Sequence, residues 1–222
     1  EPARPLRMLA PWFALALVGG AVAFFQAPQG PWKTAAGVTG ALWVALGTLR
    51  FVWQRLRSPG GRLTAEMTGM VLAHAGIGVF VLGVMMTEGT SIEKDVALGR
   101  GESVDLRGYV FRFEGVERVN GPNYVADRGR VVVLYGDREI ATLLPEKRGY
   151  ASGGQIMTEA AIDPALHRDL YVARGEPLGR AADTGEERWS LRVYLKPWIR
   201  CIWLGALMMM FGGFIAAADR RF

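Results

Sequence analysis

The sequence predicts a membrane α-helical fold of four transmembrane helices with an inserted extracytoplasmic all-β domain, a small antiparallel barrel or sandwich. Three observations predict it. The run Met67–Thr87, MTGMVLAHAGIGVFVLGVMMT, is long and apolar enough to cross a bilayer and holds one ionisable side chain, His74. The 222 residues are 50% hydrophobic yet 21% charged, and the two classes are segregated: both ends are apolar, while the middle is charged and alternating. The arginines cluster beside the apolar runs, where the positive-inside rule puts them.

Three spans are expected in 1–91, at about 8–25, 33–53 and 66–87. Arg4 and Arg7 precede the first, which runs from Met8 to Phe25. It lacks a small-residue cleavage site and does not read as a signal peptide. A chain that begins at Glu1 reads as a fragment or a processed piece. The segment Gln26-Ala27-Pro28-Gln29-Gly30-Pro31 is a turn. The second span, Trp32 to Trp53, has Lys33 and Arg50 near its ends, both able to snorkel. A basic loop, Arg55 to Arg62, leads to the third. The fourth, about Pro197 to Ala218, lies within 196–222 and ends in Asp219-Arg220-Arg221-Phe222.

With four alternating helices, Arg4 and Arg7, the Arg55–Arg62 loop and Arg220-Arg221 all fall on one side. That side is cytoplasmic, so both termini are cytoplasmic and the middle domain faces outward. Trp32 and Trp198 then mark the outer boundary, and Trp12 and Trp53 the inner one.

The domain at 92–195 reads as antiparallel β. Tyr109, Phe111 and Phe113 share a face, opposed by Arg112 and Glu114. Val131–Tyr135 and Glu139–Leu144 flank Gly136-Asp137, a two-residue hairpin turn. Asp169–Ala173 and Trp189–Leu195 give two further strands. Thr158–Leu166 reads as a short helix or a loop.

Net charge +5 and pI near 9.7 do not indicate nucleic acid, because the basic residues flank the spans and the middle segment mixes both signs. Cys201 is the one cysteine. It sits in an apolar run with no CxxC partner, as a small buried residue rather than a reactive thiol.

On the third helix Gly69, Ala73, Gly76 and Gly83 form a stripe that lets a neighbouring helix approach closely. His74 lies on another stripe, with Met67, Met70, Gly78, Val81 and Met85, and Gly78 is expected to leave space beside the imidazole. An ionisable group inside a membrane is costly and by default functional. Two readings stand: an axial ligand to a metal centre in a flat apolar macrocycle, or a histidine hydrogen-bonded to a neighbouring helix. His167 reads as a surface residue. Glu159 and Asp163 are candidate paired carboxylates with nothing nearby to raise their pKa. Glu146-Lys147-Arg148 and Arg168-Asp169 read as solvated salt-bridge clusters. There is no phosphate-cradling glycine loop, serine elbow or HExxH.

The segments GMVLAHAGIGVFVLGV, SIEKDVAL, YVFRFEGV, GPNYVADRG, PEKRGY, MTEAAID, RDLYVARGEPLG and LRVYLKPWIRCIWLGALMM occur in order from Gly69 onward. They resemble the C-terminal portion of the CcmF family of cytochrome c maturation haem lyases. The resemblance implies an inner-membrane protein that takes haem from a haem chaperone and joins it to the CxxCH motif of apocytochrome c, working with thiol-reducing or chaperone subunits. It also implies a resident haem b held by two histidines on different membrane helices, with His74 matching one of them. That haem would pass an electron to the substrate haem and keep its iron ferrous. The family's tryptophan-rich segment, its outer-face histidine pair and its other membrane histidine are absent here. The resemblance therefore implies one portion of the enzyme, which needs the missing N-terminal portion and does not attach haem alone. The competing expectations are a non-catalytic membrane scaffold and a haem transporter subunit.

Overall fold

The computed structural model describes residues 3–180, 185 and 187–218, and the side chains from residue 8 onward. The arginines Arg220 and Arg221, and the side chains of Arg4 and Arg7, which the topology expectation used, lie outside the described residues. The chain divides into two units, Glu1–Ser91 with Pro197–Phe222, and Ile92–Lys196.

The first unit contains α1 (Ala3–Gln26), α2 (Pro31–Arg57), α3 (Ala65–Thr90) and α4 (Ile199–Ala217). All four are long and apolar enough to cross a membrane. The 26 residues of α3 rise roughly 39 Å, more than the roughly 30 Å of a bilayer's hydrocarbon core. Gly30 (φ 89°) and Pro31 make the reversal between α1 and α2. Thr64 caps α3, its side chain accepting from the Met67 amide at 3.2 Å.

The glycine stripe does what its spacing implies. A Cβ on Gly69 would lie 2.5 Å from the Gly212 carbonyl oxygen, and one on Gly76 would lie 2.8 Å from that of Gly205. Gly83 meets Cys201 and Ile202 in the same way. So α3 and α4 pack backbone to backbone along an antiparallel seam, and Cys201 is a half-buried packing residue on it.

The second unit is a β-sandwich. One sheet has the order β1 (Ile92–Leu98), β10 (Glu187–Pro197), β9 (Arg168–Arg180), β8 (Ala161–Pro164). The other has the order β2 (Ser103–Leu106), β3 (Tyr109–Asn120), β4 (Tyr124–Tyr135), β6 (Glu146–Tyr150), β7 (Met157–Glu159), with β5 (Arg138–Leu143) also on β4. The pairs for which registers are known are antiparallel. The core is shared by both sheets: Phe111, Phe113, Val131 and Val133 from one, Leu170, Val172, Leu191 and Val193 from the other. Gly136 (φ 59°) turns the β4–β5 hairpin, where Tyr135 faces Arg138.

Two expectations need correction. Thr158–Leu166 is neither helix nor loop alone, because β7 pairs with β6 and β8 with β9. Nor is the Glu146–Arg148 cluster solvated. The Glu146 side chain is 6% exposed, with Arg128 Nε at 2.6 Å from one oxygen and Arg148 Nε at 2.7 Å from the other. Burial raises the Glu146 pKa, but the two guanidinium hydrogen bonds outweigh it and hold the carboxyl below its ordinary value. Arg168 is likewise buried, under the Tyr109 ring and bonded to Asp163 at 2.5 Å.

Candidate functional site

The candidate site begins with His74, whose ring lies on the exposed surface of α3. Its Nδ1 is 2.9 Å from the Met70 carbonyl oxygen, one turn earlier. A carbonyl can only accept, so Nδ1 carries a proton, and in the neutral ring that leaves the lone pair on Nε2. Fixing one ring nitrogen with a hydrogen bond to backbone is how proteins orient an imidazole whose other nitrogen binds a metal.

The ring borders a recess of about 350 Å³. Trp12 of α1, Trp43, Gly47 and Phe51 of α2, and Met70 of α3 form much of its wall. The aromatic walls are braced by their own contacts. Trp12 stands edge-on to Trp53 at 6.4 Å, and Trp43 edge-on to Phe13 at 5.2 Å. Thr48, also in the wall, donates its hydroxyl to the Val44 carbonyl at 2.8 Å. Two charged or titratable side chains line the recess, His74 and Arg50.

The space lies elsewhere than the stripe implied. A Cβ on Gly78 would sit 3.1 Å from the Ala41 carbonyl oxygen and 3.5 Å from Ala45 Cβ. Gly78 therefore seats α2 against α3 instead of leaving room beside the imidazole. Met85 packs on Gly37 of α2. The opening comes one turn further along, at Gly47, where an added Cβ would meet nothing within 4 Å. A pattern on one helix cannot reveal this, because the space is set by the facing helices.

This arrangement suits a flat apolar group with a metal centre: aromatic walls, a directed imidazole lone pair and one cation. Histidine is among the axial ligands that hold haem iron. Among the described residues no group of three or more His, Cys, Asp or Glu could hold a bare metal ion.

The other sequence candidates separate. His167 is exposed between β8 and β9, its Nε2 3.4 Å from the Tyr109 hydroxyl. Glu159 lies 3.9 Å from Arg148, and Asp163 pairs with Arg168, so the two carboxylates do not form an acid–base dyad. One buried charge escaped the sequence reading altogether. Arg174 of β9 is 2% exposed, lies over the Trp189 ring at 4.6 Å, and reaches Asp127 at 3.9 Å. Burial lowers its pKa against the opposing pull of Asp127 and Glu176. It stands at an inward position of an ordinary strand alternation, which marks hydrophobic and charged residues alike only by parity.

Residues 89–197 match the family model for the CcmF C-terminal beta-sandwich. The chain is similar to the cytochrome c-type biogenesis protein CcmF of Pseudomonas fluorescens, 45% identical over 196 residues, 86% of this chain and 29% of that protein. The Pseudomonas aeruginosa CcmF is 40% identical over 222 residues, 98% of this chain and 33% of that protein. The Escherichia coli K12 CcmF is 38% identical over 189 residues, covering 85% and 28%. A solved structure titled "Cytochrome c Heme Lyase CcmF" matches the fold with TM-score 0.75 at 15% identity, over 99% of this chain and 35% of that one. The chain spans about a third of the length of these relatives.

Proposed function

Because the chain belongs to the CcmF family of cytochrome c-type biogenesis proteins, we propose that it is part of a cytochrome c haem lyase and supplies one axial ligand, His74, to a haem b within the membrane. The observation that carries this reading is the imidazole itself: Nδ1 tied to Met70, Nε2 free, beside an apolar aromatic recess. When bound, haem supplies one-electron chemistry at its iron, with a potential tuned by axial ligands and burial. The chain's own residues do the rest. Met70 orients the ring. Trp12, Trp43 and Phe51 exclude water from the site and set a low dielectric. The chain has two histidines, and His167 belongs to the β unit, so the opposite ligand comes from a helix outside these residues.

In this reading the protein sits in the bacterial inner membrane with the Arg55–Arg62 loop cytoplasmic and the β-sandwich periplasmic, on the side where apocytochrome c is matured. The apocytochrome's CxxCH motif, a haem chaperone and the thiol-reducing subunits are the partners. Four helices able to span a membrane and the clustering of Arg at their ends support this placement.

The test is His74→Ala in the complete protein, purified in detergent and followed by absorption spectroscopy. The Soret and α bands of bound haem should be lost or strongly shifted. An unchanged spectrum would remove His74 from the ligand set.

A further inference from the structure

A second recess of about 510 Å³ lies nearer the basic loop, lined by Met8, Trp12, Trp53, Gln54 and Arg57. Arg50 and Trp12 line both. Arg50 is an arginine inside a span, a placement that calls for a partner. It makes no ion pair among the described residues. Its Nη1 donates to the Met8 carbonyl at 3.0 Å. With its amide turned so that both groups are satisfied, Gln54 accepts from Nε at 3.2 Å and Nη2 at 3.3 Å. A guanidinium has five N–H groups, so one on Nη1 and one on Nη2 remain to donate.

The antiparallel register of α2 on α3, with Gly37 at Met85 and Ala45 at Gly78, sets Arg50 within one helical turn of the level of His74, on the side of the basic loop. Beyond it, Arg57 lies over the Trp53 ring at 4.6 Å. The two recesses share Trp12 and Arg50 and together present an imidazole, aromatic walls and cations.

Haem has the matching polarity: an apolar ring with two carboxylates on one edge. We propose that Arg50 holds a haem propionate, and so directs the carboxylate edge of the macrocycle toward the Arg55–Arg62 loop. This rests on the reading of His74 as an axial ligand. Tethering by Met8 and Gln54 preorganises the fork, so little side-chain entropy is lost on pairing. Arg50 is a positioning residue here and touches no iron ligand.

The test compares haem with haem dimethyl ester, which keeps the ring and iron but lacks the charges. Both are loaded into the haem-depleted complete protein in detergent, and the rate of loss to an excess of apomyoglobin is followed by absorption. The unmodified protein should retain haem roughly tenfold to a hundredfold better than the ester, the range expected for a charge-assisted hydrogen bond. Arg50→Gln should bring that ratio close to one, while the ester itself still binds with an axially ligated spectrum. Arg50→Lys should keep part of the preference. An equal ratio in the unmodified protein and Arg50→Gln overturns the proposal, as does a ratio that collapses in Arg57→Gln instead. If Arg50→Gln does not fold, a lack of preference in the unmodified protein overturns it alone. Failure of the axial-ligand reading is distinct: the His74→Ala spectrum stays unchanged, whatever the ratio.

Discussion

Replacing Gly205 with alanine adds one methyl group at the tightest point of the α3–α4 seam. The new Cβ would lie 2.4 Å from the Phe80 amide nitrogen and 2.7 Å from the Gly76 carbonyl oxygen. Both are backbone atoms of a helix, so neither can swing aside, and the two helices must separate. Overpacking of this kind costs about 1–3 kcal/mol. Alanine also gains about 1 kcal/mol of helix propensity over glycine, so the net loss should be about 0–2 kcal/mol, and the gap from an exposed Gly→Ala on the same helix about 1–3 kcal/mol. Gly213, on the same helix, is the control. It is exposed, and a Cβ there meets nothing within 4 Å. Gly213→Ala should therefore be neutral or slightly stabilising. Reversible unfolding of the complete protein in mixed micelles, followed by tryptophan fluorescence, reads both. If the two variants unfold at the same denaturant fraction, the close backbone contact of α3 with α4 is refuted.

Two further outcomes follow from the β unit. Glu146→Gln should destabilise the sandwich by about 2–4 kcal/mol, below the upper range for breaking a buried pair because Arg128 and Arg148 are partly exposed. Since the folded carboxyl is held below its ordinary 4.5, its contribution is fully present above that pH and is lost as pH falls through the lower folded value. Acid titration followed by circular dichroism should show that loss in the unmodified protein and not in Glu146→Gln. His167→Ala should leave bound-haem absorption unchanged, since this exposed ring meets the Tyr109 hydroxyl within the β unit and does not line the recess.

The seam, the hairpin and the sandwich class were legible because each depends on local pattern. Glycines seven apart on one helix face, a Gly-Asp pair between alternating runs, and paired faces of Phe111 and Phe113 need no knowledge of partners. What was not legible depends on the facing element. Gly78 looks like empty space until Ala41 fills it. The strands at Met157–Glu159 and Ala161–Pro164 are too short for alternation to register and exist because β6 and β9 offer them edges. Glu146 reads as surface in a Glu-Lys-Arg run, and only the β4–β6 pairing brings Arg128 opposite it. Within the candidate site His74 was visible as a lone ionisable group, whereas its recess is assembled from three helices and has no signature in any one of them.

The pairing of β1 with β10, from Ile92 opposite Leu195 to Leu98 opposite Trp189, sets a timetable for biosynthesis. A nascent chain halted before β10 would carry β1 as an open edge and α3 with its glycine face bare, since α4 is not yet made. Both units thus wait for residues 187–217, and a premature stop codon before residue 187 would leave two sticky surfaces at once. Quality-control proteases should clear such truncations far more readily than lesions in the loop joining α2 to α3.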